Sequence, residues 1–172
     1  MIRSRTLLLA AALTITTCSV AWAQTQPKDP FDKGNCPRGP KSQQDIDACS
    51  RMIKENQRDP DLYLNRSNGW VVIGNRDKQN EDIEKAVELS PGYWRVWAAR
   101  GLFRLNKGEH DKALSDFNRA IELDPKRASA YNGWAMSWMA KGYYDRAIAD
   151  YNRAIDLDPN VAVPYYNGSV LT

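Results

Sequence analysis

The chain has few of the residues on which metal sites and most hydrolases depend. Its 172 residues contain one histidine and three cysteines. His110 has no second histidine and no CxxC pair beside which it could complete a zinc site. The sequence also lacks a G-x-S-x-G turn and a glycine-rich phosphate loop. We therefore predict no catalytic residue, no metal and no cofactor, and a protein that is not an enzyme.

A surplus of charge is missing as well. The 24 Lys and Arg residues face 21 Asp and Glu residues, and two of the cations, Arg3 and Arg5, lie in residues 1–23. Without that segment the counts are 22 and 21, so nucleic acid is not an expected partner. The hydrophobic share of 42% and the charged share of 26% are those of an ordinary globular domain. This composition excludes a polytopic membrane protein and a wholly disordered chain.

Residues 1–23 have the organisation of a secretory signal peptide. A basic start precedes the apolar stretch 7–15, and the small-residue triplet Ala21-Trp22-Ala23 follows. We predict cleavage after Ala23, a periplasmic or secreted protein, and no membrane span after cleavage. A lipoprotein that carries its lipid on Cys18, and an uncleaved anchor, are the alternatives.

Residues 24–40 are rich in Pro, Gly and Lys, and we expect a flexible arm there. Within residues 41–59 the pattern predicts a capping helix with Ser42 as its N-cap, and with Ile46, Cys49 and Ile53 on one face. The periplasm and the extracellular space, where an exported protein resides, oxidise thiols, so a Cys36–Cys49 disulfide is expected. The alternative is a buried Cys49 and a free thiol at Cys36.

Beyond residue 59 the sequence repeats with a period of 34. The second copy holds Gly108, Ala113, Phe117, Ala120 and Asp124-Pro125, and the third holds Gly142, Ala147, Tyr151, Ala154 and Asp158-Pro159. A more degenerate first copy holds Gly74, Ile83, Ala86 and Ser90-Pro91. Such a period indicates stacked helical hairpins. In the third copy we expect the second helix to begin at Asp145 as N-cap, and in the first copy Gln79 and Asn80 predict a start of the second helix that is frayed or shifted.

These residues resemble the tetratricopeptide repeat, a 34-residue helix-turn-helix unit. The resemblance implies an all-α, right-handed superhelix of antiparallel helix pairs, with units at 60–93, 94–127 and 128–161 and a partial unit at 162–172. It also implies a non-catalytic scaffold for protein–protein interaction, because members of the family bind peptides in a concave groove lined by the first helix of each unit. The groove residues carried over are Asn68, Arg95, Leu102, Leu105, Asn132, Met136, Met139 and Tyr166. The family's carboxylate clamp is not expected, because only Asn68 matches its pattern.

Tryptophan supports an alternative function. Residues 24–172 hold five tryptophans, which could stack on cell-wall glycan. Trp70, Trp97, Trp134 and Trp138 fall on packing positions, however, so we expect only Trp94 to be partly exposed.

Two further expectations concern edges and surfaces. The apolar stretch that includes Val163, Tyr166 and Val170 has no polar helix after it, so we expect self-association or a partner there. Alternatively that stretch is frayed or the reading frame is truncated. On the outer helical faces, we expect solvated ion pairs at spacing 4, Lys112 with Asp116 and Arg146 with Asp150. Arg100 and Arg104, at positions usually apolar, are expected to keep their charged heads in water.

Overall fold

The computed structural model describes residues 36–160, and the regular structure in this part of the chain is entirely α-helical. Seven helices follow one another: α1 (Gln43–Glu55), α2 (Pro60–Ile73), α3 (Arg76–Leu89), α4 (Trp94–Asn106), α5 (His110–Leu123), α6 (Ala128–Ala140) and α7 (Tyr144–Leu157). Each helix packs on the next, and α4 also contacts both α2 and α6. Short turns make consecutive helices antiparallel. The predicted all-α array of helix pairs is confirmed.

One glycine lies in the turn of each of the three hairpins. Gly74, Gly108 and Gly142 have φ values of 79°, 76° and 80°. This left-handed backbone strains any residue with a β-carbon, so glycine ends the first helix and lets the second turn back at once. The 34-residue recurrence of glycine in the sequence therefore marks the hairpin turns.

The hairpins stack closely around one aromatic ring. Phe117 of α5 is 2% exposed and lies against Gly101 of α4 and Gly133 of α6. A β-carbon built at Gly101 would stand 3.1 Å from the ring, and one built at Gly133 would stand 2.3 Å from it. The two glycines thus form the slot in which the second and third units meet.

Helix α1 packs on the first hairpin. The Ser42 hydroxyl accepts a hydrogen bond from the Asp45 N–H, and the Asp45 carboxylate accepts one from the Ser42 N–H. Backbone N–H donation from Lys41, together with the Ser42 bonds, lowers the pKa of Asp45. Ile46 reaches α2 at Gly69, where an added β-carbon would lie 2.5 Å from Ile46 Cγ1 and 2.9 Å from Pro40 Cβ. The capping helix therefore docks through a close approach that only glycine permits.

Two helix starts differ from the sequence expectations. Helix α3 is regular from Arg76, because the Asn75 side chain accepts a hydrogen bond from the Lys78 N–H and caps it. The predicted frayed or shifted start is wrong, because Arg76 is equivalent to His110 and Tyr144, where the other two second helices begin. Helix α7 has Tyr143 as its N-cap residue, and Asp145 lies in the first turn instead. A carboxylate in the first turn still stabilises the helix, because it lies near the positive end of the helix dipole.

Several sequence predictions lie outside the described residues. These are the signal peptide at 1–23, Cys18, the partial unit at 162–172, and the apolar edge of Val163, Tyr166 and Val170. Of the predicted arm only residues 36–40 are described, and Cys36 and Pro40 are buried there. Within residues 36–160 no helix has both the length and the apolarity needed to cross a membrane.

Candidate interaction surfaces of the repeat array

The first helices of the three units, α2, α4 and α6, contact one another and bring the predicted groove residues into rows. Residues 34 apart occupy equivalent places on neighbouring helices. One apolar row contains Val71, Leu105 and Met139, and a second, one helical turn earlier, contains Leu102 and Met136. Val71 is 55% exposed and Leu102 is 46% exposed, while the other three are half-buried. We call these five residues the apolar rows.

The polar end of the groove is neutral. Arg95 Nη1 lies 2.7 Å from Asp61 Oδ1, and the Tyr93 hydroxyl donates a hydrogen bond to the same carboxylate. Burial opposes the charge of Arg95, but the Tyr93 hydroxyl and the Asp61 carboxylate outweigh it and raise its pKa. The pair is satisfied within the chain and leaves no net charge to select a ligand.

The other predicted groove residues have different surroundings. Asn68 is exposed, Asn132 is half-buried, and Tyr166 lies outside the described residues. Leu64 occupies a position that lines the groove in the family, yet here it is 3% exposed and belongs to the core beside Cys49 and Ile53. The accessible residues of the predicted groove therefore lie toward the carboxyl ends of α2, α4 and α6.

Each of the first two units contains a buried arginine–aspartate pair that the sequence analysis missed. In the first, Arg66 Nε and Nη2 lie 2.9 and 2.6 Å from the two Asp82 oxygens. The Trp70 indole N–H also donates to Asp82, at 2.9 Å. In the second, Arg100 and Arg104 both bind Asp116, at 2.9 and 2.7 Å.

The predicted surface pairs at spacing 4 are wrong. The Asp116 side chain is 2% exposed and is held by Arg100 and Arg104, while Lys112 pairs with Glu109 at 3.0 Å. The expectation that these two arginines keep their heads in water is wrong for the same reason. A signal was present in the sequence, because arginine and aspartate stand 16 residues apart in both units.

The third unit lacks such a pair. Trp134 stands where Arg66 and Arg100 stand in the other units, and Asp150 stands where Asp82 and Asp116 stand. Arg146 does not pair with Asp150, because its guanidinium lies over the rings of Trp138 and Tyr143, at 4.8 and 5.5 Å from their centroids. Burial without a compensating charge raises the pKa of Asp150.

The tryptophans are less buried than their positions suggested. Trp70 is buried, but Trp97, Trp134 and Trp138 are half-buried like Trp94, so the expectation that Trp94 alone is partly exposed is wrong. Cations of the same chain lie over four of these five rings, with Lys78 over Trp70, Arg100 over Trp97, Arg127 over Trp94 and Arg146 over Trp138. Ring faces already covered by cations are poor platforms for sugars.

Comparison with known proteins agrees with this architecture. The chain matches the tetratricopeptide repeat family over residues 80–128 and 99–162. No curated protein sequence matches it. Together with the fold, the match shows that the chain belongs to the tetratricopeptide repeat family.

Solved structures with the same fold come from several proteins. The tetratricopeptide repeat protein TTC0263 of Thermus thermophilus is 20% identical, with 69% of this chain and 66% of that chain covered and a TM-score of 0.63. MamA of Desulfovibrio magneticus RS-1 is 17% identical over 67% of this chain and 65% of that one, with a TM-score of 0.57. YrrB, described as having an unusual peptide-binding site, is 23% identical over 68% and 60%, with a TM-score of 0.58.

Proposed function

We propose that the protein is an exported scaffold that binds another polypeptide in the groove formed by α2, α4 and α6. The tetratricopeptide fold supports a role in protein interaction. The observation that carries the proposal is the pair of apolar rows, since apolar side chains that are exposed or half-buried on three successive first helices mark an interaction surface. Met136 and Met139 add side chains that adapt to varied partners.

The dimensions of the apolar rows favour an amphipathic helix as the bound segment. Packed helices lie about 8–10 Å apart, and seven residues of an α-helix rise about 10.5 Å, so anchors at i and i+7 reach neighbouring first helices. Leu102 and Leu105 are one turn apart on α4. This spacing matches further anchors at i+3 or i+4 of the bound helix. The satisfied Arg95–Asp61 pair adds no charge preference. The apolar face of the partner therefore determines binding.

Truncation of the groove methionines is expected to weaken this binding. A Met136→Ala, Met139→Ala variant removes apolar contact area, so the dissociation constant should rise about tenfold or more. The partner is first identified in cells with a photocrosslinking amino acid at Leu102, and the same probe at Glu122, on α5, is the control. The purified partner is then titrated by calorimetry against both proteins. Equal affinities, or equal adducts at the two probe positions, would place the site elsewhere.

The cysteine pair supports an oxidising compartment. Cys36 and Cys49 have Cα atoms 4.3 Å apart, and Cys49 is completely buried. The Cys36 N–H also donates to Met52 Sδ, at 2.9 Å, so the residue is held against α1. We propose that export removes residues 1–23 and that the mature protein carries this disulfide, which ties the entering chain to the capping helix.

Reduction is expected to destabilise the mature protein by about 3 kcal/mol, because a bridge across 13 positions restricts the unfolded chain. Urea unfolding with and without a phosphine reductant measures the difference. A Cys36→Ser variant should be insensitive to the reductant and should match the reduced protein. The intact mass of the exported protein should lack residues 1–23 and be two hydrogens below that of the dithiol. A full-length mass, or identical unfolding curves, would refute the proposal.

A further inference from the structure

The three units can be compared at one structural position because the repeat places equivalent residues in equivalent surroundings. In the first unit the Asp82 carboxylate is paired with the guanidinium of Arg66, which donates a hydrogen bond to each carboxylate oxygen. In the second unit Arg100 Nε and Nη2 bind Asp116 in the same way, at 3.1 and 2.9 Å. The chain thus shows twice which group satisfies an aspartate on this flank, between the first and second helices of a hairpin.

The third unit keeps the aspartate and loses the arginine. Trp134 takes the place of Arg66 and Arg100, and Trp138 takes the place of Trp70 and Arg104. Among residues 36–160, no hydrogen bond or ion pair to Asp150 is present, although its side chain is half-buried. A carboxylate withdrawn from water without a partner destabilises the fold, so its retention calls for an explanation.

The groups around this position do not supply the missing charge. Arg146, one turn before Asp150 on α7, lies over the Trp138 and Tyr143 rings. Lys141 is held in an ion pair with Asp111 of α5. On α5, Asn118 stands where Glu84 of the preceding unit binds Arg100, and its amide donates to Glu122 at 2.8 Å. Asp150 therefore has no cation partner among the described residues, at a repeat position where Trp134 and Trp138 replace the arginines of the second unit.

We propose that Asp150, with Trp134 and Trp138, forms a binding site for an arginine side chain of a partner polypeptide. The incoming guanidinium takes the position that Arg66 and Arg100 occupy in the first two units, and its planar fork meets both carboxylate oxygens. Among the described residues no cation lies over the Trp134 ring, so this ring adds a face on which a guanidinium stacks more favourably than an ammonium, while Arg146 already covers Trp138. The site lies on the hairpin flank, outside the groove, and does not depend on the groove proposal.

The test uses the full mature chain and small probes of defined charge. N-acetyl-arginine methylamide is titrated while the indole N–H signals of Trp134 and Trp138 are followed by NMR, with N-acetyl-citrulline methylamide as the neutral isostere. The arginine probe should shift both signals saturably, and the citrulline probe should bind about tenfold more weakly or not at all. The lysine analogue should bind less tightly than arginine. Equal shifts from arginine and citrulline would overturn the proposal.

Variants separate this site from its surroundings. Asp150→Asn should abolish the arginine shifts, whereas Asp156→Asn, an exposed carboxylate on the same helix, should keep them. Trp134→Arg supplies the chain's own guanidinium, so it should raise the melting temperature and remove the arginine response of Trp138. Arg146→Gln should leave arginine binding unchanged or stronger. Binding that appears only in Arg146→Gln would refute the proposal, because it would show that Arg146 of the chain itself neutralises the Asp150 carboxylate. Binding that survives in Asp150→Asn would also refute it.

Discussion

An Asp116→Ala variant is expected to lose about 3 to 5 kcal/mol of unfolding free energy, because it removes the buried carboxylate that Arg100 and Arg104 share and leaves only the exposed Glu84 beside Arg100. Arg100 and Arg104 are 14% and 23% exposed, and both bind the carboxylate that the substitution removes. Their guanidinium groups cannot lose their protons, so the positive charges stay in the hairpin. Urea unfolding followed by circular dichroism measures the loss.

The control for this prediction is on the exposed side of the same arginine. Glu84 lies 3.0 Å from Arg100 and is 44% exposed, so Glu84→Ala should cost less than about 1 kcal/mol. A joint replacement of Arg100, Arg104 and Asp116 by leucine or methionine should recover much of the stability, since an apolar cluster has no unpaired charge. Similar losses from Asp116→Ala and Glu84→Ala would contradict a dominant role for the buried pair.

Phe117→Ala is expected to destabilise the array by about 3 to 5 kcal/mol, through lost burial and the cavity left behind. The ring supplies the three atoms nearest to an added β-carbon at both Gly101 and Gly133, so its removal weakens the contact between the second and third units. The same unfolding experiment measures the effect. A loss below about 1 kcal/mol would mean that α4 and α6 close over the cavity.

The glycine slot can be tested in the same series of variants. Gly133→Ala places a methyl group against the ring and should cost about 1 to 3 kcal/mol in the wild-type protein. In the Phe117→Ala background the same change should be nearly neutral, because the ring that it meets has gone. Gly92→Ala, with nothing within 4 Å of the added carbon, is the matched control. Equal costs of Gly133→Ala in the two backgrounds would exclude a steric cause.

The fold was predictable because the signals for it are local and recur. Gly108 and Gly142 fix the turns, and the apolar spacing around Phe117 and Tyr151 fixes the faces of the second helices. The start of α7 was missed by two residues, because Asp145 suits a helix N-terminus whether it caps the helix or lies in the first turn. Periodicity therefore predicts which residues pack together but defines helix ends less well.

The buried charges were harder to predict, because they join residues of two different helices. Spacing 4 along α5 suggested Lys112 as the partner of Asp116. The carboxylate instead faces α4, which carries Arg100 and Arg104. The exposure of Trp138 was missed for a related reason, since its ring is only half-buried and lies under Arg146 of another helix. Such contacts depend on tertiary placement and not on local pattern.

The close contact at Gly69 determines how copies of this protein can assemble. Pro40 and Ile46 lie on the face of α2 against which a preceding hairpin would stack, so within residues 36–160 this face of the first unit is already occupied at Gly69. Head-to-tail growth into an open-ended filament needs two different, mutually complementary surfaces on every subunit, one at each end. A molecule that has one end sealed in this way can terminate such a chain but cannot lengthen it.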